Sequence, residues 1–158
     1  LSTSEPGLPA YCDNLSVFGT SAHEVNEVKQ KVVDQLRSVG SVVHEEESAA
    51  LHTSSLGFEI DGDAGWVRPK RDRLVRLTSA LWFIAGRPRV YGRALELIVG
   101  HLVHVLMLHR PMLALLSSCY VFIRKCYSRR VRTWKSVARE ARWLATLLPM
   151  VGAELRRP

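Results

Sequence analysis

Residues near the start of the chain have the pattern of a β-hairpin, with apolar residues on both sides of a polar turn. Between positions 8 and 19, apolar residues surround the polar pair Asp13 and Asn14. Both residue types tolerate the left-handed backbone of a tight turn, so this pattern predicts two short strands joined at Asp13–Asn14. We therefore expect Asp13 at the tip of a hairpin.

A helix is predicted to follow this hairpin. Ser21 and Glu24 have the spacing of a capping box at the start of a helix, and Gly40 is suited to the end of one. Between them, apolar residues recur every three or four positions, as on one face of a helix. The predicted stripe consists of Val25, Val28, Val32, Leu36 and Val39.

A second hairpin is predicted from residues 55–68. Residues 55–60 alternate between apolar and polar side chains, as in a single strand. Residues 61–65 (Asp-Gly-Asp-Ala-Gly) have the composition of a turn, and residues 66–68 return as the second strand.

Beyond Pro69 the chain has the periodicity of helices throughout. The first of these helices is predicted to end at Gly86 and Pro88, and its apolar stripe consists of Leu74, Leu77, Leu81 and Ile84. Further helices are predicted over residues 91–108, 112–127 and 131–148. The apolar runs fall short of the roughly 20 residues that cross a bilayer and are interrupted at His109–Pro111, so we expect a buried helical hairpin and no transmembrane span.

The last predicted helix has two distinct faces. Its apolar stripe consists of Trp134, Val137, Ala141, Leu144 and Leu148, and its cationic stripe of Arg132, Lys135, Arg139 and Arg142. The cationic face is suited to phosphates, to an anionic membrane surface, to an acidic partner or simply to water. The whole pattern predicts an α+β fold, with two hairpins and a helix followed by a mostly helical bundle.

Composition excludes several classes of protein. The 158 residues, of which 47% are hydrophobic, fit one globular domain and exclude disordered or repetitive scaffolds. Three scattered cysteines do not make a disulfide framework or a zinc site, and we expect Cys119 and Cys126 to pack as small apolar residues. No signal peptide is recognisable at the start, so we expect an intracellular protein of the cytoplasm or nucleus that is not secreted.

The net charge of +7 is distributed unevenly along the chain. Residues 1–65 contain three bases and eleven acids, whereas residues 66–158 contain nineteen bases and four acids. Such a basic half predicts a polyanionic partner. The alternative is a pair of solvated faces that balance one another.

Several motifs resemble those of reverse transcriptases. Residues 11–14 (Tyr-Cys-Asp-Asn), followed by residues 15–19, resemble the Tyr-x-Asp-Asp hairpin of the polymerase palm. Residues 56–60 resemble the primer-grip hairpin, and residues 67–69 (Val-Arg-Pro) often come next in retroelement polymerases. The helix between the two hairpins has a suitable length, and the order of the motifs agrees.

The resemblance continues into the thumb of the same family. Gly100-His101-Leu102 and the later Arg110–Pro111 resemble a thumb helix that follows the minor groove of the nucleic acid. Here His101 replaces a lysine and His104 an aromatic residue, so this match is looser. The resemblance covers roughly residues 8–127 and identifies the chain as similar to the C-terminal palm and thumb or connection region of a retroelement reverse transcriptase.

The resemblance implies a division into residues 1–68 (palm), 69–127 (thumb or connection) and 128–158 (basic amphipathic helix and tail). It implies that Asp13 is a catalytic ligand for Mg²⁺, with Asn14 as a weak replacement for the second aspartate. The implied primer-grip residues are Leu56, Gly57, Phe58 and Glu59. The implied contacts to primer-template are Arg68, Lys70, Arg71, Arg73, Arg87, Arg89, Arg93, Gly100 and His104.

The isolated chain is predicted to be inactive as an RNA-directed DNA polymerase. The family's other essential metal-binding aspartate and its fingers lie upstream, and one carboxylate alone binds Mg²⁺ too weakly for catalysis. These missing upstream parts are therefore expected partners. The alternative is a non-enzymatic basic helical module that binds nucleic acid or an anionic membrane. The polymerase hypothesis alone requires Asp13 to lie beside the hairpin at residues 56–60.

Overall fold

The computed structural model describes residues 6–8, 10–11 and 14–155. It combines helices and strands, which agrees with the predicted α+β class. The chain divides into two compact units, Leu1–Leu51 and His52–Pro158. The two predicted hairpins therefore belong to different units.

The N-terminal unit begins with a short antiparallel hairpin. Strands β1 (Ala10–Tyr11) and β2 (Asn14–Leu15) pair so that Tyr11 lies opposite Asn14. A further bridge between Gly7 and Phe18 extends the pairing. This confirms the predicted hairpin, although Asn14 belongs to β2 and not to the turn. Asp13 lies outside the described residues.

Helix α1 (Ala22–Ser38) follows, close to its predicted position. The Ser21 hydroxyl accepts a hydrogen bond from the Glu24 backbone N–H at 3.4 Å, which is the first half of the predicted capping box. Gly40, with φ of +83°, ends the helix and donates its N–H to the Arg37 carbonyl at 3.0 Å. The left-handed backbone at this position explains why a glycine follows the helix.

The N-terminal unit has little core of its own. Val33 is the one buried residue of α1, and the predicted stripe of valines and leucine is half-buried or exposed. A groove of about 340 Å³ lies between the hairpin and α1, and its lining residues are Leu8, Leu15, Val32, Gln35, Leu36 and Val39. An apolar surface of this unit therefore faces solvent.

The C-terminal unit contains a small sheet, a four-helix bundle and a two-stranded ribbon. Its elements in chain order are β3 (His52–Ser55), β4 (Phe58–Asp61), β5 (Trp66–Pro69), α2 (Arg71–Gly86), β6 (Arg89–Tyr91), α3 (Gly92–Leu106), α4 (Ser117–Cys126), β7 (Arg130–Arg132), α5 (Lys135–Leu147) and β8 (Ala153–Glu154).

The sheet is antiparallel with the order β3-β4-β5-β8. The β4–β5 hairpin confirms the prediction for residues 58–68. The prediction of one continuous strand over residues 55–60 is wrong, because Leu56 (φ +51°) and Gly57 (φ +83°) form a two-residue turn between β3 and β4. Positive φ at both positions is the geometry of a type I′ hairpin turn.

The prediction that the chain is wholly helical beyond Pro69 is also wrong. Strands β6 and β7 pair with each other, and β8 adds to the sheet at the free edge of β5. Each of these strands has only two or three residues, and so few positions do not separate a strand period from a helical one.

The bundle itself follows the predicted apolar stripes. In α2, Leu77, Leu81 and Ile84 are buried, and Leu74 packs against the same core. In and after α5, four residues of the predicted stripe have no exposed surface: Val137, Ala141, Leu144 and Leu148. Helix α2 packs chiefly on α5, and α3 on α4.

Helices α3 and α4 form an antiparallel hairpin. The 3-10 segment Met107–Leu116 joins them and leaves helical geometry at His109 (φ −141°, ψ 70°). At the other end, a Cβ added to Gly92 would lie 2.8 Å from backbone atoms of Cys126 and Tyr127. The two helix ends therefore touch through a position where only glycine fits without displacement.

Gly92–Cys126 is also the single helical stretch, among the described residues, whose length and apolar composition would suit a membrane crossing. In the structure this stretch turns back at His109, so α3 and α4 lie side by side. Their buried residues join the core formed with α2 and α5.

Candidate nucleic-acid interface

The predicted metal site falls largely outside the described part of the chain. Asp13 is not among the described residues, and Asn14 is placed only through its backbone in β2. No group of three His, Cys, Asp or Glu side chains suited to a metal ion occurs among the described residues. The Mg²⁺ site at Asp13, and its position beside residues 56–60, stay predictions.

The turn between β3 and β4 contacts the end of α3. The His104 ring donates from Nε2 to the Leu56 carbonyl at 2.8 Å. The same ring stacks on Phe58, with 4.9 Å between the ring centroids and 23° between the planes. Residues predicted from two separate motifs, the primer grip and the thumb, therefore meet in one cluster.

The start of α2 lies against the same turn. The Lys70 backbone N–H donates to the Gly57 carbonyl at 3.1 Å. A side chain at Gly57 would overlap the Arg73 guanidinium, so this cation lies directly over the turn. The Nε2 atom of His104 lies 3.8 Å from the same Cβ position, so Arg73 and His104 both lie close to Gly57.

Three more of the basic residues predicted to contact primer-template lie near this turn in the sequence. Arg68 is exposed on β5, opposite Glu59 of β4, with its guanidinium 5.3 Å from the centre of the Trp66 ring. Lys70 and Arg71 are the next bases, at the start of α2. We call the following set the hairpin surface: Leu56, Gly57, Phe58, Arg68, Lys70, Arg71, Arg73 and His104.

Gly100 lies one helical turn before His104 on α3, on the same face. It is exposed, and an added Cβ would meet nothing within 4 Å. Packing therefore does not require a glycine at this position, which leaves room beside His104 for a ligand.

The remaining predicted cations lie elsewhere. Arg87, Arg89 and Arg93 are at the far end of α2 and in the elements that follow it. With a rise of about 1.5 Å per residue, the backbone of α2 carries Arg87 about 21 Å from Arg73. The structure thus separates the predicted nucleic-acid contacts into two clusters.

The second cluster borders an open groove of about 600 Å³. It lies where the end of α2, strand β7 and the start of α5 come together. Its lining includes five cations: Arg87, Arg132, Lys135, Arg139 and Arg142. No carboxylate lines it among the described residues. We call this feature the arginine groove.

The ribbon of β6 and β7 was missed in the sequence and adds to this charge. Arg89 pairs with Arg132, and Tyr91 pairs with Arg130, while the intervening Val90 is buried. The three arginines therefore share one exposed face. Each strand has only three residues, which is too few for their alternation to predict the ribbon from the sequence.

A buried carboxylate sits on the opposite side of α5. Glu140 is 8% exposed, and its two oxygens accept hydrogen bonds from the backbone N–H groups of Ser118 (2.9 Å) and Cys119 (3.0 Å). Glu140 therefore caps the first turn of α4, which has no side-chain cap of its own. Burial, and then the adjacent Glu140, raise the pKa of the Cys119 thiol from 9.0 to about 12.

Comparison with known proteins identifies no relative. No protein family matches the chain, and no curated protein or solved structure is detectably similar to it.

Proposed function

We propose that this chain is the C-terminal palm and thumb region of a retroelement reverse transcriptase, and that its hairpin surface binds primer-template. One observation carries the proposal. The turn that resembles a primer grip is joined to the thumb-like helix through His104 and covered by Arg73. A primer grip has to be held against the thumb for both to follow the same duplex.

The charge of the hairpin surface supports this role. Arg68, Lys70, Arg71 and Arg73 provide four cations within six residues at a strand-to-helix junction. Contacts from Lys and Arg to phosphates give affinity without a choice of sequence, as a copying enzyme needs. Their binding falls steeply as salt rises, because bound counterions are released.

The remaining parts of the proposal concern the metal and the missing partners. In the full enzyme, Asp13 would supply one carboxylate for Mg²⁺, with Asn14 beside it as a neutral ligand. The apolar groove of the N-terminal unit, lined by Leu8, Leu15 and Leu36 among others, is a surface suited to upstream polymerase parts. The isolated chain is then a nucleic-acid-binding fragment without polymerase activity.

Binding of a labelled primer-template duplex, followed by fluorescence anisotropy over a range of salt concentrations, tests the proposal. We expect the double variant Arg71→Gln/Arg73→Gln to lower the slope of log K against log[salt] by about 1.8. The matched control is Lys29→Gln/Lys31→Gln, which removes the same charge from α1, outside the hairpin surface. Equal slopes for the two variants would contradict the proposal.

A second candidate function is binding to an anionic membrane through α5, whose exposed face carries Lys135, Arg139, Arg142 and Trp143. Basic residues beside an exposed tryptophan are typical of interfacial helices. Co-sedimentation with phosphatidylserine vesicles distinguishes the two functions. Binding to vesicles without binding to primer-template would favour the membrane module.

A further inference from the structure

We infer that the arginine groove binds a single strand of nucleic acid, with phosphates in the groove and bases on the aromatic rings beside it. This inference concerns a different surface from the hairpin surface and does not depend on the proposed polymerase ancestry. It extends to residues that no motif assigned, namely Arg132, Lys135, Arg139 and Arg142.

The charges converge from three separate elements. Arg87 follows α2, Arg132 belongs to β7, and Lys135 begins α5. Arg139 and Arg142 lie one and two turns further along the same face of α5. The single acid of α5, Glu140, is engaged with the start of α4 on the buried side. Among the described residues, no carboxylate lines the groove to neutralise these cations.

This accumulation works against the stability of the free protein. Arg89 and Arg132 are directly opposed across two strands, and like charges in that position destabilise a ribbon. Lys135 and Arg139 repel each other at the i, i+4 spacing. An anion in the groove relieves both repulsions. Helix α5 has no side-chain cap, and its first residues, Lys135 and Ser136, line the groove. Their backbone N–H groups therefore also favour an anion there.

Aromatic rings identify the kind of anion. The Arg87 guanidinium carbon lies 4.2 Å from the centre of the Phe83 ring, and that of Arg139 lies 5.2 Å from Trp143. Both rings are about half exposed, at 55% and 48%. Exposed rings interleaved with arginines bind single strands, because unpaired bases stack on them while the cations follow the backbone. The bases of a duplex are already stacked and do not reach such rings.

The shape of the site favours a strand over a lipid surface. A bilayer is nearly flat at this scale, so its head groups do not enter a groove formed where three elements meet. A single strand is thin enough to lie in the groove and contact cations on both sides. The described geometry therefore favours nucleic acid, and vesicle binding becomes one outcome of the test.

The experiment uses the full chain and a labelled oligothymidylate of about 12 nucleotides, within the range of known single-strand site sizes. We expect Lys135→Gln/Arg142→Gln to lower the salt slope of binding by about 1.4. Lys29→Gln/Lys31→Gln on α1 removes the same charge outside the groove, and we expect this control to lower the salt slope less. Arg71→Gln/Arg73→Gln is expected to act on duplex binding and not on this single strand.

The proposed stacking of bases on the aromatic rings is tested separately with Trp143→Ala. We expect roughly tenfold weaker binding of the oligonucleotide. Binding of linear polyphosphate, which has no bases, is expected to be unchanged. Equal weakening of both ligands would overturn the stacking role.

A measurement on the unaltered protein avoids any dependence on how the variants fold. Acetylation of lysines, read by mass spectrometry, is expected to be slowed at Lys135 by the oligonucleotide and not at Lys125, which is exposed near the end of α4. Any one of three results would overturn the inference. The oligonucleotide does not protect Lys135, the groove variant and its control lower the salt slope equally, or phosphatidylserine vesicles compete with the oligonucleotide for the protein.

Discussion

The buried Glu140 gives the sharpest test of the packing of the C-terminal unit. Its carboxylate bonds to two N–H groups at the start of α4, at 2.9 and 3.0 Å. Replacement by glutamine keeps the shape and one accepting oxygen but turns an NH₂ group towards the other N–H donor. The variant Glu140→Gln therefore loses one charge-assisted bond and weakens the other.

The expected loss follows from these contacts. A hydrogen bond to a charged group contributes about 1.5–3 kcal/mol, and relief of the buried charge returns part of this. We expect Glu140→Gln to lower the free energy of unfolding by about 2 kcal/mol. Glu140→Ala leaves the buried Cys119 donor and the partly buried Ser118 donor without a partner, and we expect a loss of about 3 kcal/mol.

Urea unfolding followed by tryptophan fluorescence measures this loss. All four tryptophans lie in the C-terminal unit, so the signal reports that unit alone. Glu59→Gln, an exposed position on β4 of the same unit, is the matched control and is expected to change stability by less than about 0.5 kcal/mol.

The Cys119 thiol gives a second readout of the same contact. Since Glu140 contributes to the raised pKa of Cys119, removal of its charge is expected to lower that pKa while burial keeps it above 9.0. A stability within 0.5 kcal/mol of wild type together with an unchanged thiol titration would refute the capping role of Glu140.

Three further predictions concern single positions. Gly92→Ala is expected to destabilise the C-terminal unit by about 2 kcal/mol or more in urea unfolding, because its Cβ would meet the backbone of Cys126 and Tyr127; an unchanged midpoint would contradict the close approach of α3 and α4. Leu56→Asn is expected to raise the thermal midpoint by relieving about 1 kcal/mol of left-handed strain at an exposed position; a fall in the midpoint would show that the leucine side chain stabilises the turn. Because the folded Cys119 holds its proton more tightly than the unfolded chain does, stability is expected to fall by roughly 1 kcal/mol per pH unit as the pH rises from 9 towards 12; Cys119→Ala should reduce this alkaline loss, and an identical pH profile for the variant would count against it.

The apolar stripes made much of the bundle predictable from the sequence. Leu77, Leu81 and Ile84 are buried as their spacing predicts, because a run of sixteen helical residues contains several full turns of the period. The short strands were not predictable in the same way. Residues 52–55 (His-Thr-Ser-Ser) have little apolar character, and they pair only because the turn at Leu56–Gly57 directs them back onto β4.

The sequence predicted which residues belong to the candidate interface, but it did not predict which of them lie together in the fold. The motifs identified Arg73, Gly57 and His104 separately, and the fold brings them together. The same motifs grouped Arg87 with Arg73, although helix α2 holds them at opposite ends. Glu140 was missed because an acid on a basic amphipathic helix gives no sign that it points inward to cap another helix.

The late position of β8 has a consequence for synthesis on the ribosome. Trp66 of β5 pairs with Glu154 of β8. The four-stranded sheet therefore gains its last strand only after almost the whole described chain has been made. Until then, the edge of β5 offers unpaired backbone groups to any other extended segment. A nascent or truncated chain lacking residues 153–154 should therefore self-associate through β5, and a chaperone that recognises extended segments would act during this interval.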